Sequence, residues 1–239
     1  MTDFFLLAGQ LIISLCLELI NKKWPIFERK ISKMRTNLLL FTGLLTAFVA
    51  QTQSLPQLNI GDTAPLTDIR MNATDGKSYS LSDVKGRNGL VVIFSCNTCP
   101  FVLGWEDQYN LIFEQAKAAG LGMILINSNE AFREKDDSFE AMVAHAKKNK
   151  YKMPYVVDEN HQLADAFGAQ TTPHVFVFDA EWKLVFKGSI NDKYENSKSG
   201  NTPAKFYLSD ALNAIKENKP IEVKESRAIG CSIKRIKKS

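Results

Sequence analysis

Apolar and polar positions along the chain follow two different periods. Continuous apolar runs at Gly89–Phe94 and Met123–Asn127 are typical of strands buried on both faces of a largely parallel sheet. Between these runs, from Pro100 to Ala119, apolar residues recur with the period of a helix. The predicted apolar stripe of this helix consists of Phe101, Trp105, Tyr109, Leu111, Ile112 and Ala116. The pattern therefore predicts a strand, a helix and a second strand in succession.

Shorter signals extend this alternation on both sides. The Asp75-Gly76 dipeptide predicts a tight turn between strands at Asp68–Thr74 and Lys77–Ser80, and Ser82-Asp83 is a candidate cap for a short helix after them. The other expected elements are helices at Ser138–Lys148, His161–Phe167 and Pro203–Lys216, a strand at Tyr155–Val157, and a hairpin of Val175–Asp179 with Leu184–Gly188. Together they predict an α/β fold with a central mixed sheet flanked by helices and an N-terminal β-hairpin extension.

The first 53 residues have the pattern of an export leader. Met34-Arg35 precedes thirteen mostly apolar residues, Leu38–Ala50, and a polar run starts at Gln51; this is the layout of a signal peptide and is too short to span a bilayer. Residues 1–33 leave two interpretations open, because Phe4–Ile20 is also apolar: translation starts at Met34, or the segment is an uncleaved membrane anchor. Both interpretations export the rest of the chain to the periplasm or another extracytoplasmic space. The chain is thus expected to comprise a leader, residues 1–53, a folded domain, residues 58–234, and a basic tail, residues 235–239.

The formal net charge of +4 is concentrated at the two ends of the chain. Residues 1–50 carry +3 and the last six residues carry +4, so residues 51–233 carry −3. A slightly acidic domain offers no basic face to nucleic-acid phosphates. We therefore expect no nucleic-acid partner and interpret the charge as a targeting feature.

Candidate chemistry lies in Cys96-Asn97-Thr98-Cys99, at the predicted junction of a strand and a helix. A helix N-terminus favours a thiolate, which we expect on Cys96, and Pro100 suits the first helical turn. Cys96 would attack a substrate disulfide and Cys99 would resolve the mixed disulfide. The same spacing also occurs in zinc sites, but the chain has no second cysteine or histidine pair of that spacing. We expect no metal and no cofactor.

A second motif, Thr171-Thr172-Pro173-His174, directly precedes the predicted strand at Val175. Alone, Thr-Pro before a strand is an ordinary turn. Together with the cysteine pair, it resembles the thioredoxin-like superfamily, which implies a thioredoxin-like sandwich, a cis-proline at Pro173 and substrate binding by Thr172 and Pro173.

Within that superfamily, residues 58–234 resemble the peroxiredoxin-like (alkyl hydroperoxide reductase and thiol-specific antioxidant, or redoxin) group. The segments that carry this resemblance are Gly61–Pro65, Phe94–Phe101, Trp105–Asp107, Ile126–Asn129, Thr172-Pro173 and Gly230–Lys234.

Two departures from the related families guide the choice of activity. Peroxiredoxins have P-x-x-x-T-x-x-C, and alignment of their Cys-Pro with Cys99-Pro100 puts Cys96 in place of the threonine and Val92 in place of the proline. Their peroxide-binding arginine has three equal candidates here, namely Arg70, Arg87 and Arg133. Thioredoxins have Gly-Pro between the cysteines and a tryptophan before them, whereas this chain has Asn97-Thr98 and Ser95.

The leading hypothesis is an exported thiol–disulfide oxidoreductase with a redox-active Cys96–Cys99 disulfide. Its expected partners are protein or small-molecule disulfides and thiols, and a redox protein that recycles it. One alternative is a thiol peroxidase with antioxidant activity on peroxides. The other is a copper-binding chaperone that uses the two cysteines and His174.

Three further residues have weaker signals, each with a plain structural alternative. Cys231 is a candidate third redox thiol or an incidental free cysteine. His174 is a candidate for proton transfer or a packed, hydrogen-bonded residue. Glu106 falls on the same helix face as Cys99 and is a candidate proton shuttle or a solvated carboxylate. Cys16 would be lost with a cleaved leader.

Overall fold

The computed structural model describes residues 56–197 and 200–236. The chain divides into two compact units, residues 1–53 and 54–239, and all described residues belong to the second unit. The predicted signal peptide or anchor therefore lies outside the described residues, as do the last three residues of the basic tail.

Nine strands and six α-helices occur within the described residues. The strands are β1 (Met71–Asn72), β2 (Ser78–Tyr79), β3 (Gly89–Ser95), β4 (Leu121–Asn127), β5 (Tyr155–Val157), β6 (Thr171–Thr172), β7 (His174–Phe178), β8 (Leu184–Gly188) and β9 (Cys231–Ser232). The helices are α1 (Leu81–Val84), α2 (Pro100–Leu103), α3 (Tyr109–Ala118), α4 (Phe139–Asn149), α5 (Gln162–Phe167) and α6 (Tyr207–Lys216). Three short 3₁₀ turns occupy Glu106–Gln108, Glu130–Phe132 and Glu159–His161.

Five strands form a mixed sheet in the order β5-β4-β3-β7-β8. β3, β4 and β5 are parallel, β7 is antiparallel to β3, and β8 is antiparallel to β7. All seven residues of the central strand β3 are buried, as its continuous apolar run predicted. The predicted central mixed sheet, flanked by helices, is confirmed.

The predicted N-terminal hairpin is present, with two-residue strands β1 and β2. The cap of the helix that follows is Ser80 instead of the predicted Ser82. Ser80 Oγ accepts a hydrogen bond from the Asp83 N–H, and the Ser80 N–H donates to the Asp83 carboxylate at 2.8 Å. This reciprocal pair is a capping box, which needs an acceptor three residues before Asp83.

The single helix predicted over Pro100–Ala119 is divided into α2, a 3₁₀ turn and α3. The division follows Gly104 and Trp105, where the buried Trp105 indole N–H donates to Asn191 Oδ1 at 2.7 Å. The predicted stripe is buried at Trp105, Tyr109, Ile112 and Ala116, but Leu111 is 60% exposed. Leu111 lies two residues after Tyr109 and so points to nearly the opposite side of α3.

The sheet separates two apolar layers. On one face, Val91 and Ile93 of β3 pack with residues of α3, α4 and α6. On the other face, Leu90, Val92 and Phe94 pack with residues of α1 and α5 and with the N-terminal hairpin. None of the helices in the described part of the chain is long and apolar enough to cross a membrane.

Phe167 of α5 lies at the centre of the second layer. Its ring meets Phe94, Phe176 and Phe178 edge-on, with centroids 5.3 to 5.5 Å apart. Edge-on contacts between aromatic rings stabilise the folded state in addition to the effect of the apolar area that they bury.

We predict that Phe167→Ala lowers the free energy of unfolding by about 3–5 kcal/mol, because it leaves a cavity among three rings. Leu111→Ala is the control. Replacing this exposed leucine of the predicted stripe should lower the free energy of unfolding by less than about 0.5 kcal/mol. Chemical denaturation measures both. Equal losses for the two variants would contradict the central packing position of Phe167.

Candidate active site

The cysteine pair follows directly on the carboxyl end of β3, the central strand. Cys99, not Cys96, is the N-cap residue of α2, and Pro100 takes the first helical position. Cys96 lies in the loop between strand and helix. This differs from the sequence expectation, in which the helix N-terminus acts on Cys96.

The segment Thr172-Pro173, where β6 leads into β7, faces both cysteines. Its Thr172–Pro173 peptide bond is cis. Thr172 Oγ1 lies 3.2 Å from Cys96 Sγ, and the Thr172 carbonyl oxygen lies 3.1 Å from Cys99 Sγ. One residue of this segment thus contacts both sulfurs.

A strand from the C-terminal end of the chain completes the site. β9 pairs antiparallel with β6, so that Cys231 lies opposite Thr172. Cys231 packs against a small cluster formed by Cys96, Cys99 and Val102. Cys96 and Cys99 are only 2% and 4% exposed, whereas Cys231 is half-buried. The structure therefore brings three of the four cysteines together.

Hydrogen bonding determines which sulfur of the pair ionises. A hydrogen bond from Cys96 lowers the pKa of Cys99 to about 5, and the Cys231 thiol and the Val102 N–H act in the same direction. Burial raises the pKa of Cys99 but is outweighed by these donors. The Thr172 carbonyl oxygen can accept the proton of a neutral Cys99 thiol. The pKa of Cys96 is raised by its hydrogen bond to Cys99 and by burial, so ionisation of the pair is favoured at Cys99, the N-cap residue of α2.

A buried carboxylate fixes the loop between the two cysteines. Asp137 is fully buried and accepts hydrogen bonds from the Asn97 N–H at 2.9 Å and from the side-chain amides of Asn127 and Asn129, each at 2.8 Å. The Tyr155 hydroxyl donates to Asn97 Oδ1 at 2.9 Å. No sequence motif predicted this network. The nearest signal was the Ile126–Asn129 segment, because β3 and β4 are parallel and end at the same edge of the sheet.

Glu106 and His174 form their hydrogen bonds with residues other than the cysteines. The Glu106 carboxylate lies 2.7 Å from His145 Nε2 and accepts a hydrogen bond from the Tyr151 hydroxyl. His174 lies 3.3 Å from Gln57 Nε2, and burial lowers its pKa to about 3, which keeps the ring neutral. Across residues 56–197 and 200–236, no hydrogen bond joins Glu106 or His174 to a cysteine.

Of the three candidate arginines, Arg133 supports the Asp137 network. Its guanidinium donates to the carbonyl oxygens of Asp137 and Asn127 at 2.9 and 3.0 Å. Arg70 pairs with Asp83 beside the N-terminal hairpin. No group of three metal-ligating side chains is found in the part of the chain that the structure describes.

Comparisons with known proteins give one family and several related folds. The Redoxin family model matches residues 59–201. No curated protein matches the chain. An uncharacterised protein from Geobacillus kaustophilus is 31% identical, with a TM-score of 0.69, and the match covers 78% of this chain and 96% of the other.

Two more distant structures share the fold. A peroxidoxin from Mycobacterium tuberculosis is 16% identical, with a TM-score of 0.51 over 68% of this chain and 98% of its own. A protein from Chlorobium tepidum, described as a thiol:disulfide interchange protein, is 20% identical, with a TM-score of 0.50 over the same shares of the two chains. One fold thus occurs in proteins named for peroxide chemistry and for disulfide chemistry.

We predict that the reduced protein titrates a thiolate with an inflection near pH 5, because hydrogen-bond donors converge on Cys99. The thiolate is present above this pH and is lost below it. Ultraviolet thiolate absorbance measures the titration. Cys99→Ser should abolish the inflection, and Cys231→Ala should move it to higher pH by removing a side-chain donor. A lone inflection near the ordinary thiol pKa of about 8.5 would contradict the assignment.

Proposed function

The chain belongs to the Redoxin family, and from this membership we propose that it is an exported thiol–disulfide oxidoreductase. Its Cys96–Cys99 pair alternates between a dithiol and a disulfide through a mixed disulfide with the substrate. The observation that carries the proposal is the pair itself: one sulfur has a lowered pKa, and its hydrogen-bond donor is the second sulfur. The substrates are protein or small-molecule disulfides and thiols, and a redox partner recycles the pair.

We propose that Cys99 is the attacking thiol, the reverse of the order expected from the sequence; its N-cap position and lowered pKa support this role. The Cys99 thiolate attacks one sulfur of a substrate disulfide, and the other substrate sulfur leaves as a thiolate. Cys96 then gives up its proton and attacks Cys99 Sγ. A Cys96–Cys99 disulfide forms, the second substrate sulfur leaves, and two electrons have passed from the protein to the substrate. Run in reverse, the same steps oxidise a substrate dithiol.

Thr172 assists the second step of this sequence. Its hydroxyl forms a hydrogen bond with Cys96 Sγ and thereby lowers the pKa of Cys96, against the larger effects of Cys99 and burial. When Cys99 is bound in a mixed disulfide, it no longer carries the charge that keeps Cys96 protonated. Cys96 is then easier to ionise at the moment when it must attack.

Thiol peroxidase activity is the second candidate, and the lowered pKa of Cys99 favours it. Cys99 aligns with the peroxide-reacting cysteine of peroxiredoxins, and its thiolate could be oxidised to a sulfenic acid that Cys96 then condenses with. Against it, Cys96 replaces the family's threonine, and Arg133 is engaged with backbone carbonyls. The copper alternative has less support, because His174 contacts Gln57 and Phe176 instead of the cysteines.

We predict that the reduced wild-type protein reduces a model disulfide, such as insulin, with dithiothreitol as electron donor. Cys99→Ser should lower the rate at least about 100-fold, because it removes the nucleophile. Cys96→Ser combined with Cys231→Ser, which leaves no second thiol packed against Cys99, should instead accumulate a mixed disulfide between Cys99 and the substrate, detected by mass spectrometry. Near-ultraviolet circular dichroism checks that both variants fold.

Stopped-flow mixing with hydrogen peroxide separates the two candidates. A second-order rate no faster than that of free cysteine supports the oxidoreductase. A rate several orders of magnitude faster, together with slow insulin reduction, would assign the peroxidase instead.

The export part of the proposal rests on the sequence pattern of residues 34–50. We predict that protein recovered from the extracytoplasmic fraction of its host begins immediately after Ala50 or Gln51, as N-terminal sequencing would show. Recovery of a membrane-bound form that retains residues 1–33 would favour the anchor. Recovery of the intact chain from the cytoplasm would contradict export.

A further inference from the structure

The C-terminal strap, defined here as residues 226–236, lies across the thiol site and is held along its length. Two hydrogen bonds fix the N-terminal part of the strap. The Ser226 N–H donates to the Lys187 carbonyl oxygen, and the Ile229 N–H donates to Ser189 Oγ. After β9, the Ile233 N–H donates to the Gln170 carbonyl oxygen and the Lys234 N–H donates to Asn129 Oδ1. Arg235 forms a salt bridge with Asp165. The strap is therefore a packed part of the domain.

The strap approaches the loop before Pro173 more closely than most residues allow. A Cβ atom on Gly230 would clash with the Thr172 carbonyl oxygen and come within 2.6 Å of the Thr172 carbonyl carbon. Glycine at this position lets β9 pair with β6 in the observed register. That register puts Cys231 against Cys99.

The three sulfurs differ in how accessible they are to solvent. Cys96 and Cys99 are 2% and 4% exposed and pack with Cys231 of the strap, which is itself only half-buried. An external disulfide or dithiol therefore meets Cys231 before it meets the pair.

We propose that Cys231 is a third redox thiol, which exchanges disulfides with Cys99 and carries the disulfide between the buried pair and external thiols. This proposal rests on the function proposed above, and it adds the route by which the pair reaches its partner. The partner class is a protein or small molecule whose thiols attack a half-buried sulfur.

The exchange needs no reagent beyond the disulfide of the pair. The Cys231 thiolate attacks Cys99 Sγ of the Cys96–Cys99 disulfide, a Cys99–Cys231 disulfide forms, and Cys96 leaves and takes up the proton that Cys231 lost. A partner thiol then attacks Cys231 Sγ, and Cys99 leaves as a thiolate. The partner's second thiol resolves the mixed disulfide and releases Cys231. The partner dithiol has lost the two electrons that the protein disulfide has gained.

The electrostatics match this order of events. In the reduced protein, burial and the hydrogen bond to Cys99 raise the pKa of Cys231 to about 11. Once Cys99 is in a disulfide, it is uncharged, and its contribution to that increase disappears. Lys234 acts in the opposite direction and favours the Cys231 thiolate. Cys231 is therefore most easily ionised when the pair holds a disulfide to attack.

The first test isolates the proposed bond in the full chain, in a Cys16→Ser background that removes the remaining cysteine. Cys96→Ser, equilibrated in glutathione buffers, should form an intramolecular Cys99–Cys231 disulfide, seen as the loss of two hydrogens and as a cross-linked peptide. Cys99→Ser is the matched control and should form the Cys96–Cys231 disulfide at least about tenfold less. Two free thiols or only mixed disulfides with glutathione in Cys96→Ser would overturn the proposal.

A second pair of variants tests the close approach of the strap. Gly230→Ala, added to Cys96→Ser, should lower the equilibrium constant for the Cys99–Cys231 disulfide at least about tenfold, because a displaced strand cannot meet the distance that the bond requires. Ser232→Ala changes the exposed residue of the same strand and should leave this equilibrium constant unchanged. Equal disulfide formation in both variants would contradict the role assigned to the strap.

Cys231→Ser distinguishes failure of the relay from failure of the proposed function. We expect this variant still to form the Cys96–Cys99 disulfide, but to exchange with protein substrates at least about tenfold more slowly than the wild type. Formation of that disulfide with unchanged turnover would overturn the relay alone. Absence of the Cys96–Cys99 disulfide in both the wild type and Cys231→Ser would overturn the proposed function.

Discussion

The thiol site depends on the pairing of β7 with β3. Their register sets His174 opposite Phe94, so the residues before β7 necessarily lie beside those that follow β3. Thr172 thereby reaches both cysteines, with its hydroxyl on one sulfur and its carbonyl oxygen near the other. β6, which ends at Thr172, then pairs with β9. One antiparallel register at the centre of the sheet thus brings Thr172 to both Cys96 and Cys99.

The position of Cys96 gives this site its character. A threonine there, as in peroxiredoxins, could donate a hydrogen bond to the Cys99 thiolate but could not form a disulfide with it. In the proposed mechanism, a cysteine at this position both stabilises the thiolate and resolves the bond that the thiolate makes. Fold similarity alone does not distinguish the two chemistries.

Local patterns were sufficient to predict the strands β3, β4 and β5 and the hairpin of β7 and β8, because continuous apolar runs and turn dipeptides are local signals. The division at Gly104 and Trp105 was not predictable, because it depends on Asn191, far along the chain. The cysteine pair and Pro173 were predictable from two short motifs. The sequence did not reveal Asp137 or the location of the thiolate on Cys99. Asp137 depends on a tertiary contact with Asn97. The lowered pKa of Cys99 depends first on how the folded loop orients Cys96 and then on the tertiary contact with Cys231.

The close packing of Gly230 against Thr172 also affects how the protein is made. Synthesis runs from the N-terminus, so the cysteine pair and the sheet around it emerge well before residues 226–236 do. The sheet has all its own strands without the strap, and the pair stays uncovered until the last residues of the domain dock. Until residues 226–236 dock, Cys96 and Cys99 lack the contact that Cys231 makes with them. In the completed domain they are 2% and 4% exposed.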